Sequence, residues 1–126
     1  MKVLELFAGV GGFRVGLENC DKNFFRTLWS NQWDPGRKSQ EAFQVYEYHF
    51  PESKNINISI SDISDGMFSE MDADLIVGGF PCQDYSVAHS LSTSKGIEGK
   101  KGVLWWQIRD TIIAKKPPFI LLENVD

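Results

Sequence analysis

Cys82 and Glu123 are the two residues of this 126-residue chain whose type and setting point most directly to chemistry. Cys82 lies in Gly78-Gly79-Phe80-Pro81-Cys82-Gln83, immediately after an apolar run, and Glu123 begins Glu123-Asn124-Val125, immediately after another. An isolated cysteine is ordinarily an inert buried thiol. On a Gly-Gly-x-Pro turn at the carboxyl end of a strand it is instead presented into a crevice, where a thiolate can attack an electrophile. A carboxylate delivered by the neighbouring strand end would complete the pair as proton-handling partner.

A second constellation lies nearer the amino terminus. Phe7-Ala8-Gly9-Val10-Gly11-Gly12 follows the first apolar run and opens a helical pattern, the position at which an α/β sheet brings backbone close to a nucleotide-like ligand. The dinucleotide fingerprint G-x-G-x-x-G/A fails, because counting from Gly9 the sixth residue is Arg14. A glycine-rich turn of this kind can also be purely structural. Ser30-Asn31-Gln32-Trp33-Asp34 follows at roughly the 20-residue offset where ribose-binding groups sit in such folds. Trp33 is either a stacking surface for an adenine or a partly buried aromatic. Asp62, in Ser61-Asp62-Ile63, is either an acceptor for an exocyclic amine or a cap.

These residues need a scaffold that places strand ends side by side. Strand candidates at residues 3–7, 25–30, 55–60, 73–77 and 119–122 alternate with amphipathic segments at 12–19, 38–49 and 103–114 and a shorter one at 67–70. Alternation of this kind predicts a parallel sheet covered on both faces. On the helical segments Phe13, Gly16 and Leu17, then Ala42, Val45 and Tyr46, then Leu104, Ile108 and Ile112 fall on common faces. Pro117 and Pro118 end the last helical segment before the fifth strand.

Composition narrows the class. A hydrophobic share of 42% in 126 residues suits one globular core. No apolar stretch approaches the roughly 20 residues of a membrane span, and Glu5 interrupts the apolar amino terminus, so the expectation is a soluble, intracellular protein. Two cysteines and two histidines at unrelated spacings predict neither a disulfide framework nor a metal site. The formal charge of −4 runs against a nucleic-acid partner, but it is unevenly spread. Residues 1–94 carry 7 Lys/Arg against 13 Asp/Glu, and residues 95–126 carry 6 against 4. The segment 86–101 is polar and glycine-containing, a candidate functional loop as readily as a plain surface loop.

Taken together, FAGVGG, GGFPCQ and ENV, in this order across essentially the whole chain, resemble the motifs of the cytosine C5-methyltransferase family. The resemblance implies a Rossmann-like S-adenosylmethionine-dependent methyltransferase sheet with parallel strands in the order 3-2-1-4-5 and a switch point between strands 1 and 4. It implies that Cys82 adds to C6 of cytosine in double-stranded DNA while Glu123 holds the base. Phe7, Ala8, Gly9, Val10, Gly11, Gly12, Gln32, Trp33, Asp62, Ile63, Pro81 and Leu104 would bind S-adenosylmethionine. Base flipping would bring cytosine to a loop bearing Gln83, Ser86, Lys95, Lys100 and Lys101. Gln32 departs from the family, which usually has an acidic residue there for the ribose hydroxyls; Asp34 is a substitute acceptor. The RNA-modifying branch usually has Pro-Pro-Cys where this chain has Phe80-Pro81-Cys82. A non-catalytic methyltransferase-like module is the other reading. Residues 1–126 are expected to be the cofactor-binding and nucleophile-bearing part of a catalytic domain, without the target-recognition region and with little activity alone. A cytoplasmic bacterial or phage restriction-modification setting, with a cognate restriction endonuclease, is the expected context.

Overall fold

The computed structural model describes residues 1–79 and 103–124. Five strands form one parallel sheet: β1 (Lys2–Leu6), β2 (Arg26–Asn31), β3 (Lys54–Ile56), β4 (Leu75–Gly79) and β5 (Phe119–Glu123). Their order is β3-β2-β1-β4-β5, as the motif resemblance implies, so the chain reverses direction across the sheet between β1 and β4. The helices are α1 (Gly12–Asp21), α2 (Glu41–His49), α3 (Asp65–Glu70) and α4 (Val103–Lys115), with a 3-10 turn at Ile60–Asp62.

The central strand explains how the faces are divided. In β1, Leu4 and Leu6 point into a cluster with Trp29, Ile56, Ile60, Met71 and Ile76, against which Phe68 of α3 and Ile112 of α4 pack. Val3 points the other way, with Leu75 and Val77, toward Phe13 and Leu17 of α1. Alternate side chains of a strand buried on both faces must each find a helix layer, and a doubly wound sheet supplies two.

Several boundaries differ from the sequence expectation, each for a local reason. The expected first strand ran through Phe7, but Phe7 takes a left-handed backbone (φ 53) and turns the chain out of β1. The third strand is confined to Lys54–Ile56, because only these residues pair with Trp29, Ser30 and Asn31; Ile60, expected in the strand, belongs to the 3-10 turn. The second helix starts at Glu41 rather than at 38, since Asp34 to Gln40 form a loop tied together by the Gln40 side chain. Helix α3 begins two residues before the expected 67, after Ser64, whose hydroxyl accepts from the Met67 amide. On α2 the anticipated face is only half realised: Tyr46 is buried while Val45 is exposed.

Candidate active site

The glycine turn between β1 and α1 is shaped by two positive-φ glycines, Gly9 (φ 57) and Gly11 (φ 96). At Gly11 clearance matters as much as conformation. A β-carbon there would lie 2.6 Å from the Phe50 ring and 3.3 Å from that of Tyr46. At Gly9 and Gly12 a β-carbon would meet nothing within 4 Å, so the turn opens onto free space on that side. Ala8 is buried and its amide donates to the Asn31 carbonyl at 3.0 Å, tying the turn to the end of β2. Val10 is exposed, and Phe7 packs half-buried against the core.

The carboxyl end of β2 supplies the next group. Asn31 is buried and its side-chain amide donates to the Ile58 carbonyl at 2.9 Å. Gln32 reaches back to the glycine turn, where its Oε1 accepts the Gly9 amide at 2.7 Å. Trp33 is partly exposed, and Asp62 is exposed at the end of the 3-10 turn, with Ile63 beside it packed on the core. Asp34, the substitute acceptor, is already used within its own loop: Oδ1 accepts from the Gly36 amide at 3.0 Å and Oδ2 lies 3.2 Å from the Arg37 guanidinium. A cavity of about 240 Å³ opens between Gln32, Asp34, Arg37 and Gln40.

On the other side of β1 the parallel register sets strand ends level. Leu6 pairs with both Asn31 and Gly78, and Gly79 pairs with Glu123. A β-carbon on Gly78 would lie 2.8 Å from the Leu6 carbonyl oxygen, so glycine is what lets β4 approach β1 here. A β-carbon on Gly79 would meet the Glu123 Oε2 at 3.1 Å and the Phe13 ring at 3.9 Å. The Glu123 carboxylate therefore lies over the last residue of β4, three positions before Cys82, on the same sheet end as the glycine turn. Pro81, Cys82, Gln83, Ser86, Lys95, Lys100 and Lys101 lie outside the described residues. Leu104 has its backbone in the first turn of α4.

The structure adds a buried polar cluster behind the glycine turn that the motifs did not indicate. Glu5 of β1 has no exposed surface, and Tyr46 of α2 donates its hydroxyl to Glu5 Oε2 at 2.8 Å. The other oxygen, Oε1, has no partner among the described residues. Burial drives the Glu5 carboxyl pKa up, against the opposing pull of the Tyr46 hydroxyl, the Arg14 amide and the Arg14 charge. Burial beside that carboxylate also raises the Tyr46 phenol. Arg14, 2% exposed, donates to Glu18 Oε1 at 2.6 Å and to Ser53 Oγ at 2.6 Å, and also pairs with Glu52. Its guanidinium stacks on Phe50 at 4.2 Å. The signal for Glu5 was its place between Leu4 and Leu6 in a strand buried on both faces. There a carboxylate must be paired inside the protein.

Among the described residues no helix is long and apolar enough to cross a membrane. The chain resembles the Type II methyltransferase M.Sau3AI of Staphylococcus aureus, 55% identical over all of this chain and 31% of the relative. It is also similar to the Type II methyltransferase M.HhaI of Haemophilus parahaemolyticus, 34% identical over 99% of this chain and 34% of the relative. The chain thus spans about a third of the length of these curated relatives. Its fold matches the solved structure of the S. pombe Dnmt2 methyltransferase, with a TM-score of 0.67 and 20% identity, over all of this chain and 34% of that one. Agreement at this identity establishes a shared Rossmann-like architecture. The family model described as C-5 cytosine-specific DNA methylase matches residues 1–126, and the chain belongs to that family.

Proposed function

We propose that the complete protein transfers a methyl group from S-adenosylmethionine to C5 of cytosine in double-stranded DNA, with Cys82 as nucleophile and Glu123 as its acid partner. The observation that carries this reading is the β4–β5 register. It sets the Glu123 carboxylate over Gly79, three residues from Cys82, on the sheet end that also bears the glycine turn.

The residues suit the cofactor. Open space lies over Gly9 and Gly12, a partly exposed tryptophan follows β2, and Asp62 offers an exposed carboxylate to an exocyclic amine. Phe7, Ala8, Val10, Gly11, Ile63, Pro81 and Leu104 complete the proposed pocket. When bound, S-adenosylmethionine supplies an electrophilic methyl group.

The chain's own part is to make C5 reactive. Addition of the Cys82 thiolate to C6 forms the sulfur–carbon bond and shifts the C5–C6 electron pair toward C5. Glu123 holds the base at N3 and the exocyclic amine and stabilises the charge that addition places in the ring. After methylation, loss of the C5 proton returns its electron pair to the ring and expels the thiolate. Cytosine in a duplex must first be flipped out of the stack. Gln83, Ser86, Lys95, Lys100 and Lys101 are assigned to the loop that meets the flipped base and its phosphates.

Residues 1–126 alone are expected to show little turnover, since the matched relatives are about three times longer. The Type II relatives favour a restriction-modification role in a bacterial or phage setting, with a separate endonuclease reading the same DNA. The decisive experiment incubates the complete protein with S-adenosylmethionine and DNA containing 5-fluorocytosine. Fluorine cannot leave as a proton does, so a covalent adduct at Cys82 should accumulate and be seen by mass spectrometry. No adduct on DNA sinks the catalytic reading and favours a non-catalytic module; an adduct only on RNA moves the substrate.

A further inference from the structure

Helix α1 has no cap of its own. Gly11 at its N-cap offers no side chain, and the first turn contains no acidic residue. The amides that open a helix need acceptors, ordinarily supplied by a side chain at the N-cap. Here such a cap is sterically excluded, because the Phe50 and Tyr46 rings take up the space of a side chain at position 11, 2.6 and 3.3 Å from its β-carbon. The acceptor comes instead from the strand that leads into the turn. A backbone hydrogen bond from Arg14, in the first turn of α1, reaches the carboxyl of Glu5.

The same carboxyl accepts the Tyr46 hydroxyl through Oε2 at 2.8 Å. Tyr46 thus acts on the turn in two ways. Its hydroxyl fixes the group that caps α1, and its ring, 4.9 Å from that of Phe50, forms part of the wall against which Gly11 rests. Gly11 in turn donates its amide to the Ala8 carbonyl at 2.9 Å and accepts the Val15 amide at 3.0 Å. A shift of Tyr46 is therefore passed to the backbone between Ala8 and Val15. With the cap placed behind the turn, the space over Gly9 and Gly12 stays free of side chains, and a ligand can approach the backbone closely there.

We infer that Tyr46 and Glu5 are positioning residues for the glycine turn, holding the Ala8–Gly12 backbone in the placement that the cofactor needs. The inference rests on reading this turn as part of the cofactor site. Both side chains are fully buried, so they act through the turn and not on the ligand. What Glu5 supplies is an acceptor in a fixed place rather than a charge. Glu5→Gln keeps an oxygen for the Tyr46 hydroxyl and sets its NH2 in the place of the unpartnered Oε1. Glu5→Leu keeps no acceptor at all.

The test is calorimetric titration of the complete protein and its Tyr46→Phe, Glu5→Gln and Glu5→Leu variants with S-adenosylhomocysteine, at a temperature where melting curves show each to be folded. Steady-state methyl transfer is measured alongside, with S-adenosylmethionine and DNA varied separately. Tyr46→Phe should bind S-adenosylhomocysteine about threefold to tenfold more weakly, the worth of one hydrogen bond that orders the site. The KM for S-adenosylmethionine should rise by the same factor, while kcat and the KM for DNA stay within about twofold. Glu5→Gln should keep its affinity within about twofold, and Glu5→Leu should lose at least as much as Tyr46→Phe. A Tyr46→Phe protein that melts lower but binds with unchanged affinity would show a purely structural role and overturn the proposal. So would a Glu5→Gln protein as weak as Glu5→Leu, since charge and not an acceptor would then be at work, or a loss that falls on kcat. Failure of the unsubstituted protein to bind S-adenosylhomocysteine at all would instead remove the cofactor reading beneath it.

Discussion

On one side of β1, polar side chains are locked against one another. Gln32 holds Gly9, Tyr46 holds Glu5, and Arg14 joins α1 to the segment between α2 and β3. On the other side the strand ends carry two glycines and an exposed carboxylate, and Phe119, Ile120 and Leu121 of the edge strand are each about half exposed. The first half spends its polar groups on holding a turn in place, as a site for a small ligand requires. The second half carries an exposed carboxylate and an exposed apolar edge strand, and among the described residues no polar network ties them down. One sheet thus joins a preorganised half to an open half, and substitutions should affect them differently: stability on the first side, chemistry on the second.

The largest effect is expected at Glu123. Its side chain lies on the surface beside Gly79, so Glu123→Gln should change unfolding free energy by no more than about 0.5 kcal/mol. If it is the acid partner of Cys82, methyl transfer by the complete enzyme should fall by about 10²- to 10⁴-fold, measured by single turnover on cytosine DNA. A variant that unfolds, or one that turns over normally, would break the comparison at its open end.

Tyr46→Phe probes the closed end. It removes the one side-chain hydrogen bond that Glu5 makes among the described residues and leaves the buried carboxyl with only the Arg14 backbone amide beside it. The expected cost is about 1.5–3 kcal/mol, read as a lower urea midpoint with an unchanged slope. An unaltered midpoint would show that the buried cluster does not stiffen this half.

The halves also differed in how readily the sequence disclosed them. Gly11, Gly78 and Gly79 could be read because each lies just past an apolar run, although the close approaches that require glycine there come from distant residues, Phe50 and Tyr46, Leu6 and Glu123. Glu123 and the glycine turn were legible for the same reason, lying just past apolar runs whose ends mark strand ends. The Glu5–Tyr46 pair spans 41 positions, and no periodicity links a strand residue to a helix residue at that distance. Glu5 therefore read as a polar break in an apolar run, and Arg14 as the residue that spoiled a fingerprint, although both are buried. The 3–7 and 55–60 strand limits shifted because pairing with neighbours, not local propensity, decides where a strand ends.

The smallest effect, and the sharpest on the buried cluster, is a pH dependence. Burial raises the Glu5 carboxyl above its ordinary value of 4.5, so between that value and its folded one the native chain binds more protons than the unfolded chain. Stability contributed by Glu5 is then fully present at acid pH and is lost as pH rises through the folded value. The groups facing it are Tyr46, the amide and guanidinium of Arg14, and Glu18, whose charge adds to the upward shift. Glu5→Gln keeps an acceptor for Tyr46 but cannot ionise. Urea unfolding of both proteins between pH 4.5 and pH 8 should show a decline that is steeper for the unsubstituted chain and flatter for Glu5→Gln. Identical slopes would mean that the carboxylate is solvated in the folded protein, and the closed half of the sheet would then be no more closed than the half that bears Glu123.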